Sequence, residues 1–206
     1  MTKFMAYEEL KKHGITADTP ENLMLGAGII CHNLEWESNK WKYDILGATS
    51  GGNKVSIVPE ITTVEVDGAL VKIKGLDRKT GETAKLETNL IEITPAMMKA
   101  GVIGKDGASN VTGYDLITSK PDIETGDYYK NFGFVGKKTD GTPVIVIFDN
   151  ALCTSGFEAE NKNKEATVVK CTFECYQECN AETDLSILPY RIYYPTPTPA
   201  TQTEQV

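Results

Sequence analysis

Three groups of residues have types and spacings that could do chemistry. Gly47-Ala-Thr-Ser-Gly-Gly-Asn-Lys54 comes close to a phosphate-binding loop, in which lysine follows the second glycine directly and a helix begins. Here Asn53 intervenes, Val55 follows Lys54, and the next element reads as β. The segment is therefore expected to be a turn-rich loop. Cys171, Cys175 and Cys179 are spaced by four, and on a strand residues four apart rise about 13 Å. Three thiolates at that spacing cannot meet on one ion, and a zinc site would need a second ligand pair elsewhere. They read as small apolar residues on an inward strand face. His13 and His32, the two histidines, lie in no metalloprotease pattern and beside no nucleophile motif. The acidic residues alternate along strands as a wetted face would. The expectation is a protein with no catalytic, cofactor-binding or metal-binding residues: not an enzyme.

The elements that would carry these residues are mostly strands. With 206 residues the chain can bury a sizeable core without staples. A net charge of -8 argues against a nucleic-acid binder, which wants a basic face. No apolar run approaches the ~20 residues of a membrane helix, and the charged N-terminus lacks the apolar region of an export signal. Five cysteines, an odd number, fit free thiols and synthesis in a reducing cytoplasm.

Ala6–His13 reads as a short helix stopped by Gly14, and Thr19-Pro20-Glu21-Asn22 as a break before a buried strand at 28–31. Residues 35–43 mix charges with Trp36, Trp41 and Tyr43. Both tryptophans either cover their own core or meet another protein surface, where aromatic residues are enriched. A long flexible loop is expected over 47–59. Strands follow at 61–66, 70–73 and 83–93, parted by Asp67-Gly68-Ala69 and by residues 75–81. Alternation places Glu65 and Asp67 on one polar face and Glu87 on another. The pattern slips near Leu90, which a bulge or a change of partner would explain.

Thr94-Pro95 opens the best helix signal, with Gly101 or Gly104 to end it. Strands are expected over 111–119 and 128–135, and Asp140-Gly141 marks a hairpin. Val144–Phe148 is apolar throughout and suits burial on both faces. Residues 150–157 read as a further strand, 165–180 is the longest alternation, and 190–194 a last short strand. The whole predicts a mainly β, two-sheet antiparallel sandwich or barrel with one or two short flanking helices. Residues 1–21 form an N-terminal arm with a short helix, 22–195 a single β domain, and 196–206 a mobile Pro/Thr-rich tail.

Asn22-Leu-Met-Leu-Gly-Ala-Gly-Ile-Ile, then Leu46-Gly-Ala-Thr-Ser-Gly-Gly-Asn, Glu65-Val-Asp-Gly and Val71-Lys-Ile-Lys-Gly-Leu, together resemble the tail tube (major tail) proteins of long non-contractile-tailed bacteriophages. Those of phages infecting Gram-positive bacteria are the most similar. Ala84–Ile93 resembles the strand before that family's short helix, and Tyr190–Pro195 its closing strand. Ser50 stands where the usual loop has arginine, and the cysteine run is not a family feature.

The resemblance implies a structural virion protein made in the host bacterial cytoplasm and located in the virion tail. Hexameric rings would stack into a tube conducting DNA from capsid to host. Tape measure, tail terminator and distal tail proteins would be its partners, with no cofactor and no membrane, and duplex DNA would pass without specific binding. A lumen set of Glu65, Asp67, Glu87 and Glu174 and a ring-contact set of Trp36, Trp41, Gly47, Ser50, Gly51, Gly52, Asn53 and Lys54 follow as expectations. The alternative is an immunoglobulin-like surface or carbohydrate-binding module using Trp36 and Trp41. A carboxylate-based hydrolase would require two converging acids with displaced pKa values.

Overall fold

Residues 13–196 are described by a computed structural model of the chain. Within them one antiparallel sheet is built around strand β8, Pro143–Cys153. Along one edge β8 pairs with β7 (Tyr129–Lys137) from Pro143 to Ala151; along the other it pairs first with β11 (Tyr190–Tyr193) through Ile145–Phe148 and then with β10 (Val168–Cys175) through Ala151–Cys153. From β7 the sheet continues through β1 (Ile29–Glu37) to β2 (Lys40–Ile45); from β10 it continues through β4 (Asp77–Leu90) to β3 (Thr49–Thr63). Because β8 changes partners midway, the two wings face each other across a core.

The pleat decides what fills that core. Alternate residues of β4 (Ala84, Leu86, Thr88, Leu90) and of β10 (Val169, Cys171, Phe173, Cys175) point inward. They meet Ile30, Phe132, Phe134, Val146 and Phe148 from the other wing, and the Phe132 and Phe173 ring centroids lie 4.2 Å apart. The opposite face of β8 carries Ile145 and Ile147 into a second small cluster with Cys31 and Leu34. Burial of Ile145–Phe148 on both faces follows the sequence expectation.

The fold is thus sandwich-like, mainly β, with two short helices: α1 (Thr19–Asn22) and α2 (Pro95–Val102). It is not a closed barrel, since β2 and β3 remain edges. Thr94 caps α2 by accepting from the Met97 N–H at 3.2 Å. The helix runs past Gly101 and ends at Ile103, which takes a left-handed conformation. Gly101 lies inside the helix as a close-packing position, since a Cβ there would sit 3.1 Å from Phe157 Cβ.

Several boundaries differ from expectation. Residues 35–43 form a hairpin between β1 and β2, turned by Ser38 and Asn39, both at positive φ. Thr19–Asn22 is a helical turn rather than a break. Only Leu116–Ser119 of the expected 111–119 strand is β (β6), pairing with β5 (Gly104–Gly107) beside α2. Residues 150–153 are the end of β8, and β9 (Ala159–Glu160) is a two-residue partner of β10. Of the helix expected at Ala6–His13, only His13 lies among the described residues, and the tail is described only as far as Thr196.

Candidate functional site

The β3–β4 hairpin is the most distinctive feature. It begins inside the body, where Val55 and Ile57 pack against the core opposite Leu86 and Ala84. From Val58 to Thr83 no residue is buried. The paired part, Val58–Thr63 against Asp77–Thr83, extends roughly 20 Å at the rise of a strand. Polar side chains hold it together: Thr63 donates to Asp77 Oδ1 at 2.6 Å, and Thr62 and Thr80 share a 3.1 Å contact.

The tip of this arm, residues 64–76, is not two strands, as the sequence suggested, but a loop of consecutive turns. Ala69 N–H donates to Val66 O and Leu76 N–H to Ile73 O, at Gly68 and Gly75 with positive φ. Val64 N–H to Leu76 O, 3.0 Å, closes the loop. Leu70 is 99% exposed and Val71 77%. Val64, Val66 and Ile73 are also exposed around an open cup of about 540 Å³. The apolar alternation was a real signal, but no second layer covers it in one chain.

This geometry revises the expected lumen set. Glu65 and Asp67 sit on the tip loop, not on a sheet face. Glu87 and Glu174 do share the outward face of β4 and β10. There Lys54 pairs with Glu87 at 2.8 Å and Lys85 pairs with Glu174. Those contacts, chiefly the hydrogen bond to Glu174, raise the Lys85 ammonium pKa above its ordinary value. With Lys170 on the same face, the surface is a mixed, nearly balanced one rather than an acidic one.

The expected 47–59 loop is also corrected: it is β3 from Thr49 onward. Ser50, Gly51 and Gly52 bulge out between the pairs Thr49–Leu90 and Asn53–Thr88, with both glycines at positive φ. Asn53 is committed within the chain, accepting from Thr88 Oγ1 at 2.6 Å and donating to Ala27 O at 2.7 Å. Gly47 is half-buried near Glu92, and Lys54 is taken by Glu87. Of the ring-contact set only Trp36, Ser50, Gly51 and Lys54 are exposed. The apparent slip after Leu90 is simply the end of β4.

The tryptophans divide the two readings between them. Trp41 packs on Cys31, Leu34, Ile145 and Ile147 and so covers its own domain. Trp36, its cross-strand partner, stands 57% exposed with its ring centroid 5.3 Å from that of Trp41.

The chemistry-bearing residues stay apart. Cys171 and Cys175 face the core as expected, whereas Cys179 lies beyond β10 and is exposed. Cys153 and Cys171 are neighbours in the core, and their interaction lowers the Cys153 thiol while it and burial raise that of Cys171. Burial pushes Cys31, Cys175 and the Tyr129 phenol up to about 12. His32 lies edge-on to Tyr129, 5.3 Å between centroids. Among the described residues no three His, Cys, Asp or Glu side chains converge as ligands for a metal ion. No helix of the described residues is long and apolar enough to cross a membrane. No protein-family model matches the chain, and no curated protein matches it.

Proposed function

We propose that this chain is the subunit of a phage tail tube: a structural protein whose hexameric rings stack into a conduit for DNA. The observation that carries the reading is the β3–β4 arm. A two-stranded hairpin leaving the body with Leu70 and Val71 almost fully exposed is marginal alone in water. Exposed apolar clusters of this kind mark contact surfaces. A second copy is the partner that a self-assembling subunit always has at hand, and docking against it would bury the tip.

Two further features support the reading. β2 and β3 are open edges, which ring closure would pair edge to edge. The outward face of β4 and β10 sets Glu87 and Glu174 against Lys54 and Lys85, with Lys170 beside them, so a duplex sliding along it would meet mostly paired charges and no strongly basic wall. Tape measure, tail terminator and distal tail proteins belong to this proposal as the partners of such a tube.

Electron microscopy of the purified protein in negative stain tests it. Rings or stacked tubes are expected as concentration rises. A protein that stays monomeric at high concentration overturns the reading.

A further inference from the structure

We propose that the outer face of the β1–β2 hairpin and β11 is a binding platform for a neutral pyranose sugar, with Trp36 as its floor. Trp41 is wedged into the second core cluster. On one side it supports Trp36, centroids 5.3 Å apart, and on the other Tyr193, centroids 5.1 Å apart. Trp36 is therefore a flat indole held in place yet 57% exposed. A pyranose presents axial C–H groups with slight positive charge on one face. These complement the negative face of an aromatic ring, and the pairing needs no ordering of a flexible side chain.

The row of aromatics continues into planar hydrogen-bonding groups. Tyr193 and Arg191 lie on one face of β11, opposite Ile145 and Ile147. Arg191 donates to Asn131 Oδ1 at 2.8 Å and to Asp149 Oδ1 at 2.9 Å. Asn131 in turn donates to Glu35 Oε1 at 2.8 Å. These groups fix one another and leave edges exposed, the arrangement that reads pairs of vicinal hydroxyls. Beyond Arg191 a polar cleft of about 390 Å³ continues along Asn131, Asp149 and Asn150, within the size range of small-ligand sites (~300–1,000 Å³).

Charge selects the ligand class. Arg191 is committed to Asp149 and Lys42 to Glu37; Lys130 also lines the cleft and is outnumbered by carboxylates. Glu35, Asp149 and Glu178 line the surroundings and would repel phosphodiesters. A stacked sugar is favoured over a stacked nucleobase. The arm lies on the other wing of the sheet, and the platform uses the face of the β1–β2 hairpin rather than its β2 edge, so ring closure through that edge leaves the two proposals separately testable.

The protein's two tryptophans are both in this cluster, so intrinsic fluorescence reports on it alone. Maltohexaose, cellohexaose and N-acetylchitohexaose, with a single-stranded oligonucleotide as comparison, should be titrated into the full-length protein. A saturable spectral change with at least one sugar and none with the oligonucleotide is expected. Trp36→Ala and Arg191→Lys should each weaken binding at least about tenfold with an unchanged circular dichroism spectrum. No response to any of the sugars at millimolar concentration overturns the site, as does undiminished binding by Trp36→Ala. A response to the oligonucleotide alone, or a Trp36 signal that follows protein concentration and not sugar, also overturns it, the latter by assigning Trp36 to a subunit contact.

Discussion

The Thr88 hydroxyl donates to Asn53 Oδ1 at 2.6 Å, and Thr88 is the buried polar residue among an otherwise apolar inner face of β4. Asn53 also ties the start of β3 to the Ala27 carbonyl. One amide thus satisfies a core hydroxyl and anchors the strand just after its bulge. Asn53→Ala leaves the Thr88 hydroxyl buried without its acceptor, a loss of about 1–3 kcal/mol. Thr88→Val added to Asn53→Ala removes the orphaned group and should restore part of that stability. Urea unfolding of the two variants checks this, and equal midpoints would show that the hydrogen bond is dispensable.

In the tube reading, the arm separates folding from assembly. Leu70 and Val71, 99% and 77% exposed, touch little in their own chain. Replacing both by aspartate should move stability by no more than about 0.5 kcal/mol while abolishing self-association. Thermal unfolding and sedimentation velocity on one preparation measure both. Intact assemblies from the double variant would remove the arm tip from the contact.

Much of the wing bearing β4 and β10 was legible, because its pleat is buried on one side. Ala84, Leu86 and Leu90 alternate with Lys85, Glu87 and Asn89, and the same holds for Val169 to Cys175. The arm was not legible in the same way. Val64 and Val66 alternate with Glu65 and Asp67, but periodicity cannot say whether an apolar row meets a core or solvent. Gly51-Gly52 suggested a loop, yet two positive-φ glycines are also what a bulge needs within a continuous strand. Ser38-Asn39 was the overlooked signal of the tryptophan hairpin, a two-residue turn with both residues at positive φ, a conformation asparagine accepts readily. The Asn131–Arg191 contact joins residues 60 apart in sequence, and no local pattern encodes it.

Alkaline pH should destabilise the fold. Cys31 and Cys175 ionise near 9.0 when unfolded, but burial pushes them up to about 12 in the folded chain. Between those values the unfolded state has lost protons that the folded state keeps. Stability is therefore full below about pH 9 and falls as pH rises toward 12, by up to about 1.4 kcal/mol per pH unit for each thiol. Tyr129 adds the same sign from 10.0 upward. Urea midpoints should hold between pH 8 and 9 and drop from there to pH 11, and Cys31→Ala/Cys175→Ala should flatten the decline. An unchanged slope in that variant would assign the alkaline loss to other groups.

The polar face of β4 and β10 gives a charge-reversal prediction that depends on the tube reading. Glu87 neutralises Lys54, and Glu174 neutralises Lys85. Both acids are partly exposed, and the pairs add little stability of their own, so Glu87→Lys/Glu174→Lys should fold. The double change turns a balanced face into one carrying Lys54, Lys85 and Lys170 unopposed, together with the two new lysines. Repeated around a ring, such a wall would displace counterions from duplex DNA and bind it, with affinity falling steeply as salt increases. Tails built from the variant should retain or slow DNA at low ionic strength and release it normally at high ionic strength. Ejection rates measured against salt decide the matter: the same salt-independent rate for parent and variant would mean that this face does not line the bore.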